Sequence, residues 1–230
     1  GDTKRLCVEW GMDQKIIVTV DVVLLTLVGE RLEVLLSRRE REPFAEQWAL
    51  PGGYVHAVED ADSLAAARRV LREKASLTSP YLEQLYTFSG ATRDPRGWSA
   101  SIAYYALVSA DTLRPASPAP FELWPVDELP RLCFDHARIV DGALERLRSK
   151  SAYSSLPCYL LPPAFTLTEL QQTYEHVLGQ KLDKSAFRRK LADFDFLEVV
   201  KDAQRTGSHR PAQLYRIREE KNLMLFDRTI

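Results

Sequence analysis

Leu50-Pro51-Gly52-Gly53-Tyr54-Val55, followed by Asp62-Ser63-Leu64 and then Arg69-Val70-Leu71-Arg72-Glu73-Lys74-Ala75-Ser76-Leu77, is the stretch on which the reading of this chain turns. Paired glycines let backbone approach a ligand closely because they carry no Cβ. Asp62 and Ser63 introduce a helical pattern, and Leu64, Ala67, Leu71 and Ala75 recur at helical spacing.

Outward from that stretch, the first half reads as strands. Ile16–Val28 is long and β-branched, Leu32–Leu36 is apolar, and Gly29-Glu30 between them signals a hairpin turn. Further strands are expected at Leu85–Phe88 and Ser101–Val108, then a proline-rich stretch from Pro115 to Pro125. A second helix is expected over Asp135–Ser149, with Ile139, Ala143 and Leu147 on one face. Helices beside a mixed sheet predict an α/β sandwich. The chain has 230 residues, 45% apolar and 27% charged, enough for one large or two modest domains with a real core.

The net charge of −1 gives no global sign of nucleic acid or membrane. Cys7, Cys133 and Cys158 are scattered and lack CxxC spacing, which argues for a reducing compartment and against a disulfide framework or zinc site. The first residues lead into no apolar signal segment, and the Val18–Val28 run is broken by Thr19, Asp21 and Thr26. A soluble, cytoplasmic protein is expected.

Composition shifts near residue 150. Ser149–Pro163 holds three prolines and four serines and reads as a linker or domain edge, giving expected domains of 1–150 and 151–230. Thr166-Leu167-Thr168-Glu169 is a capping box, and Leu170, Tyr174, Val177 and Leu178 form a buried stripe ending at Gly179. Asp183 can cap a second helix with Phe187, Leu191 and Phe194 inward. Two strands are expected at Leu197–Lys201 and Leu214–Arg218. Helix, turn, helix and hairpin is the order of a winged helix-turn-helix, a small α+β unit.

This second unit carries a charge that the whole chain hides. Lys181–Arg218 contains ten Lys/Arg against five Asp/Glu. With the apolar residues inward, Ser185, Arg188, Arg189 and Ala192 lie outward, flanked by Lys184 and Lys190. Arginines opposite a buried stripe suit the major groove, where they read guanine edges or clamp phosphates. The Gln204–Arg210 loop, with Arg205, His209 and Arg210, has the length and charge of a wing. A solvated helix face is the alternative reading of the charge run alone.

The glycine-helix stretch resembles the box of the Nudix hydrolases: Gly, five residues, Glu, seven residues, then Arg-Glu-U-x-Glu-Glu-x-Gly-U, with U bulky and aliphatic. Gly53 and Glu59 match, nine residues intervene, and the second half reads Arg69 to Leu77. The resemblance implies a Nudix-type α/β/α sandwich. Nudix chemistry needs carboxylates at i, i+3 and i+4 to hold Mg²⁺, and here those positions are Val70, Glu73 and Lys74. Loss of catalysis with retention of the pocket is expected, with no catalytic residue, metal or cofactor. Glu73 reads as a structural residue, paired with Arg69. A metal held instead by Glu59, Asp60 and Asp62 is the route by which an enzyme would survive.

Arg38 and Arg39, with Phe44 and Trp48, place guanidinium groups and aromatics beside Gly52-Gly53, suiting phosphates and a base. The alternative is that Phe44 and Trp48 are core. The turn Arg93-Asp94-Pro95-Arg96-Gly97 can bring its arginines, Arg93 and Arg96, to the same ligand. Resemblance to Nudix proteins that handle ADP-ribose extends through this turn, Ala103–Leu107 and Phe134-Asp135-His136. Glu73, Phe88 and Tyr104 complete the candidate ligand set.

Taken together, the altered box, the capped helix pair and Arg210-Pro211-Ala212-Gln213-Leu214-Tyr215-Arg216 resemble the Nudix-related transcriptional regulators of NAD metabolism, the NrtR type, over residues 15–218. That resemblance implies a homodimeric repressor of NAD biosynthesis or salvage genes on a palindromic operator, released by ADP-ribose or a related nucleotide. An ADP-ribose or sugar-nucleotide pyrophosphatase with relocated metal ligands, and a regulator sensing a sugar, remain the alternatives.

Overall fold

The computed structural model describes residues 15–113, 121–205, 211–219 and 223–230. The first part runs β1 (Ile17–Val28), β2 (Arg31–Arg38), β3 (Trp48–Ala49), β4 (Gly52–Tyr54), α1 (Ser63–Ala75) and β5 (Tyr81–Gly90). It continues with β6 (Ser99–Leu107), α2 (Ala110–Leu113), β7 (Phe121–Pro125) and α3 (His136–Ser151). The strands form a mixed sheet of order β3-β2-β1-β6-β5, with β4 on β1 and β7 on β2. β1 is central and parallel to β6, and β1 and β2 form the expected hairpin, closed by Gly29 at φ +60°.

The unbroken apolar run of β1 follows from burial on both faces. Val20, Val22 and Leu24 pack with Tyr104 and Ala106 against Ala66, Ala67, Val70 and Leu71 of α1. Val23 and Leu25 pack with Tyr105 and Leu107 against Ile139, Val140, Ala143 and Leu147 of α3. One helix on each face gives the α/β/α sandwich. Phe121–Pro125 is a departure from the sequence reading: the end of the proline-rich stretch pairs as β7 along Glu33–Ser37. Pro125 sits at the strand end, where a missing N–H costs little.

The helix of the glycine-helix stretch is set by its ends. Asp62 caps α1 by accepting from Ala65 N at 2.7 Å. Ser76 ends it at φ +51°, the left-handed conformation for which the Nudix frame uses glycine.

Ser149–Pro163, expected as a linker or domain edge, is a packed joint. A 3₁₀ helix spans Leu156–Leu160, and Leu156 and Leu160 enter the same core as α3 and Val177. Ser154 is held on both sides: its Oγ donates to Lys150 O at 2.6 Å, and Tyr174 Oη donates to Ser154 O at 2.6 Å. The joint is held from behind by Met224–Ile230, with Phe226 N on Tyr153 O at 2.7 Å and Ile230 N on Ala152 O at 2.8 Å.

Beyond the joint come α4 (Leu167–Leu178), α5 (Lys184–Phe194), β8 (Leu197–Arg205) and β9 (Ala212–Ile217). Thr166 and Glu169 complete the capping box at 3.1 and 2.7 Å, Gly179 ends α4 at φ +70°, and Asp183 caps α5. Phe165, Leu170, Tyr174, Phe187, Leu191 and Phe196 form a separate core. Phe194 is half-buried and lies flat on Phe226, 3.9 Å between ring centroids. Among the described residues no helix is long and apolar enough to cross a membrane.

Candidate functional site

β1 changes partner along its length. Thr19–Asp21 pair with β4, whereas Leu25–Val28 pair with β2. Where those neighbours diverge, a cleft of about 650 Å³ opens, within the roughly 300–1,000 Å³ typical of small-molecule sites. Gly52 and Gly53, the loop at Arg38–Arg41, the end of α1, the Arg93–Arg96 turn and the start of α3 line it.

Asp21 forms its floor. This buried carboxylate accepts Ser101 Oγ–H at 2.5 Å and lies 3.5 Å from His136 Nε2. It also explains Gly52, because a Cβ there would stand 2.1 Å from Asp21 Oδ1. The absent side chain at Gly52 makes room for the protein's own carboxylate, and a Cβ at Gly53 would meet only Val70, at 3.9 Å. His136 accepts Leu50 N–H on Nδ1 at 3.0 Å. Burial lowers its pKa, outweighing the charge of Asp21. A neutral ring with Nδ1 accepting carries its proton on Nε2, facing Asp21.

The cations above the floor are preorganised. Arg39 donates to Pro43 O at 2.8 Å and stacks 4.8 Å over Phe134. Arg38 bonds Glu46 O at 2.9 Å and covers Trp48 at 4.7 Å. Arg93 grips Asp135 at 2.7 and 3.0 Å, and Arg96 grips Asp94 at 2.7 and 3.0 Å while reaching Tyr54. Burial pushes the Asp94 carboxyl up, but the bonds from Arg96 win and hold it below the usual carboxylate range. Phe134 holds φ +51°, a conformation costing a non-glycine residue about 1 kcal/mol. Its ring meets Phe44 edge-on at 4.9 Å. Cys133, beside His136, is buried with its thiol pushed up to about 12, so it supplies no nucleophile at neutral pH.

Of the candidate ligand residues, Arg38, Arg39, Gly52, Gly53, Glu73 and Arg96 line the cleft. Four others do not. Trp48 packs on Trp124 at 5.3 Å and belongs to the core. Tyr104 points to the α1 face and hydrogen-bonds Ser63 at 2.9 Å. Phe88 stands on the edge strand β5, beside Gly142 of α3 and a second cavity. Phe44 reaches the cleft only through the ring of Phe134. Arg93, the other arginine of the turn expected to reach the ligand, also lines the cleft, as do Asp21, Lys74, Phe134 and His136, which the candidate set from sequence left out.

A Mg²⁺ ion does not suit this residue set. Val70 is buried in the core, Lys74 projects into the cleft, and the remaining Glu73 lies 3.4 Å from Arg69. The upstream carboxylates are engaged elsewhere: Asp60 pairs with Arg69 at 2.8 Å, Glu59 with His56 at 3.0 Å, and Asp62 caps α1. Arg69 therefore has Asp60 as its main partner, with Glu73 second. No group of three or more potential ligands stands together among the described residues.

The second candidate site is the outer face of α5. Lys184, Ser185, Arg188, Arg189 and Ala192 are exposed, opposite Phe187 and Leu191. Lys190 turns aside to Thr229 O at 3.1 Å. Arg205 ends β8 opposite Ala212, but its side chain, together with His209 and Arg210, lies outside the described residues. The turn before α5 depends on Glu175, which accepts from Leu182 N at 2.9 Å, Gln171 at 3.3 Å and Lys181 at 3.1 Å. The Leu182 N–H bond, foremost, holds its carboxyl below the usual range. Only its position on a mostly apolar face signals this in the sequence.

Residues 16–143 match the NUDIX domain, and residues 157–217 match the NrtR DNA-binding winged helix domain. The ADPR responsive transcriptional repressor NtrR of Acinetobacter baylyi is 40% identical over 204 residues, covering 87% of this chain and 81% of that protein. The chain belongs to the NrtR family. Shewanella oneidensis NrtR in complex with a 27mer DNA superposes with a TM-score of 0.85 at 36% identity, covering 93% of this chain and 99% of that one. The NUDIX domain of the same NrtR in complex with ADP ribose superposes at 0.52 and 36%, covering 59% of this chain and 90% of that one. The fold of an NrtR protein, a Nudix domain followed by a winged helix, is thus the fold of this chain.

Proposed function

We propose that the protein is a transcriptional repressor of NAD biosynthesis or salvage genes that binds a palindromic operator as a homodimer. ADP-ribose, or a related NAD-derived nucleotide, binds the cleft between β4 and β2 and releases the DNA. Residues 1–150 are the sensing domain and 151–230 the DNA-binding domain, acting in the compartment that holds the chromosome. The observation that carries this reading is one chain holding both a cation-lined cleft, with Lys74 on its wall and Val70 and Lys74 at positions a hydrolase gives to carboxylates, and a helix exposing Arg188 and Arg189. The relatives support it, one by its designation as an ADPR responsive repressor, others by their complexes with DNA and ADP ribose.

In this reading Arg38, Arg39 and Arg96 take the pyrophosphate and Phe134 offers a ring face. Lys184, Ser185, Arg188 and Arg189 meet the operator, with Arg205, His209 and Arg210 in the wing. α3 links the two: His136 at its start lines the cleft, and Lys150, about 21 Å along a helix rising 1.5 Å per residue, leads into the joint with Tyr174. A ligand that reorients α3 shifts the spacing of the two reading heads of a dimer, which must match the DNA turn. The guanidinium groups lining the cleft favour a phosphorylated effector over a neutral sugar. The test separates binding from turnover: the protein is incubated with ADP-ribose and Mg²⁺ or Mn²⁺, binding is measured by calorimetry and AMP by chromatography. Binding without AMP is expected; AMP formation abolished by E73Q would establish the pyrophosphatase instead.

A further inference from the structure

The face that a Nudix hydrolase uses for metal carries a lysine here, and the consequence goes beyond lost catalysis. Resting on the effector reading above, we propose that the Lys74 ammonium takes the charge-neutralising place of the divalent cation, so that this cleft binds a pyrophosphate nucleotide without metal.

Lys74 lies on the last turn of α1, one turn beyond the buried Val70 and next to Glu73. Lys74 is exposed and lines the cleft together with Gly52 and Arg39. Crowding by the surrounding protein lowers its pKa, with the charges of Asp21, Arg39, Glu40 and Arg69 also acting on it. Among the described residues no carboxylate lies within ion-pair distance of its ammonium, whereas Arg93 and Arg96 in the same cleft are each gripped by an aspartate. Among the described residues Lys74 is thus a cation without an ion-pair partner, in a site whose guanidiniums are held in place.

A diphosphate needs its charge balanced on more than one side. The guanidinium forks supply directional bonds, and an ammonium on a flexible stem supplies a point charge, as a metal ion does. Lysine and Mg²⁺ exclude one another, because the ammonium both repels the ion and removes the carboxylate that would hold it. Metal-free capture also suits a sensor, whose response is then set by nucleotide concentration alone. Without a metal-activated water the bound pyrophosphate is not cut.

The full chain, its Lys74→Met and Lys74→Glu variants, and a charge-retaining Lys74→Arg control are titrated with ADP-ribose and with ADP, each in EDTA and in Mg²⁺. The wild type is expected to bind equally in both conditions. K74M should bind about tenfold more weakly in EDTA, the loss of one charge-assisted contact, and K74R should recover most of that loss. K74E, which places a second carboxylate beside Glu73, should bind only when Mg²⁺ is present. Wild-type binding that requires Mg²⁺, or K74M binding as tightly as wild type, overturns the proposal and leaves the effector reading standing. If ADP binds in this metal-free, Lys74-dependent way while ADP-ribose does not, the effector reading fails and the proposal stands. If neither nucleotide binds the wild type, both fail.

Discussion

Arg69 Nε and Nη2 each donate to a different oxygen of Asp60, both at 2.8 Å, and Nη2 also bonds Tyr54 O at 3.0 Å. One guanidinium thereby ties α1 to the end of β4 and to the loop between them. A carboxylate that a relocated metal site would need is occupied in holding the helix. The box residues that remain serve the framework of the cleft, and those that changed alter its chemistry.

Removing that carboxylate costs stability rather than ligand chemistry. Hydrogen bonds from Arg69 hold Asp60 below the usual carboxylate range. A carboxylate with a depressed pKa contributes stability at neutral pH, and loses it as pH falls through the depressed value. D60N should lower the melting temperature at pH 7 by several degrees, with the gap to wild type closing in strong acid. Thermal melts across pH 7 to about 2 check both parts.

His136 has the opposite linkage to a histidine that gains a carboxylate partner. Burial lowers its pKa, so the unfolded chain binds a proton that the folded chain refuses. Stability should therefore decline as pH falls below about 6.5, the ordinary histidine value. H136Q, which can still accept from Leu50 N–H, should flatten that part of the profile in denaturant titrations.

The arginine pair at the end of β2 sets ligand class. R38A/R39A should weaken ADP-ribose by about tenfold or more, since charge-assisted bonds exceed neutral ones. Binding of a neutral pentose should change little. Equal losses for both ligands would favour the sugar-sensing alternative.

The exposed face of α5 makes a separable prediction. R189A should weaken binding to a duplex selected by the protein from random DNA, and reduce the slope of log affinity against log salt by about one. A shallow wild-type slope would mean that the arginine face meets no phosphates. Anisotropy titrations at several salt concentrations decide it.

Features fixed by local chemistry were legible in the sequence. The Gly29-Glu30 hairpin, the Asp62 and Asp183 caps and the Thr166–Glu169 box each depend on residues a few positions apart, and each stands as expected. Side-chain direction within strands was not legible, because a neighbour one residue away faces the other side of the sheet. Tyr104 consequently faces α1, and Trp48 joins the core. Asp21 looked like an interruption in an apolar strand until α3 brought His136 to it across 115 residues. The tight packing of Ser149–Pro163 was not legible, because Ser154 and Ser155 also bond Tyr174 and Met224, far along the chain. Those contacts depend on tertiary packing, which no local pattern announces.

In the proposed function, nucleotide in the cleft controls the arginine face of α5. The most direct measurement holds the full chain on a labelled copy of its selected duplex and follows anisotropy as ADP-ribose is added. Release of the DNA is expected at saturating ADP-ribose, with DNA weakening ADP-ribose binding by the same factor, as linkage requires. DNA affinity unchanged at saturating, calorimetrically verified ADP-ribose would contradict it.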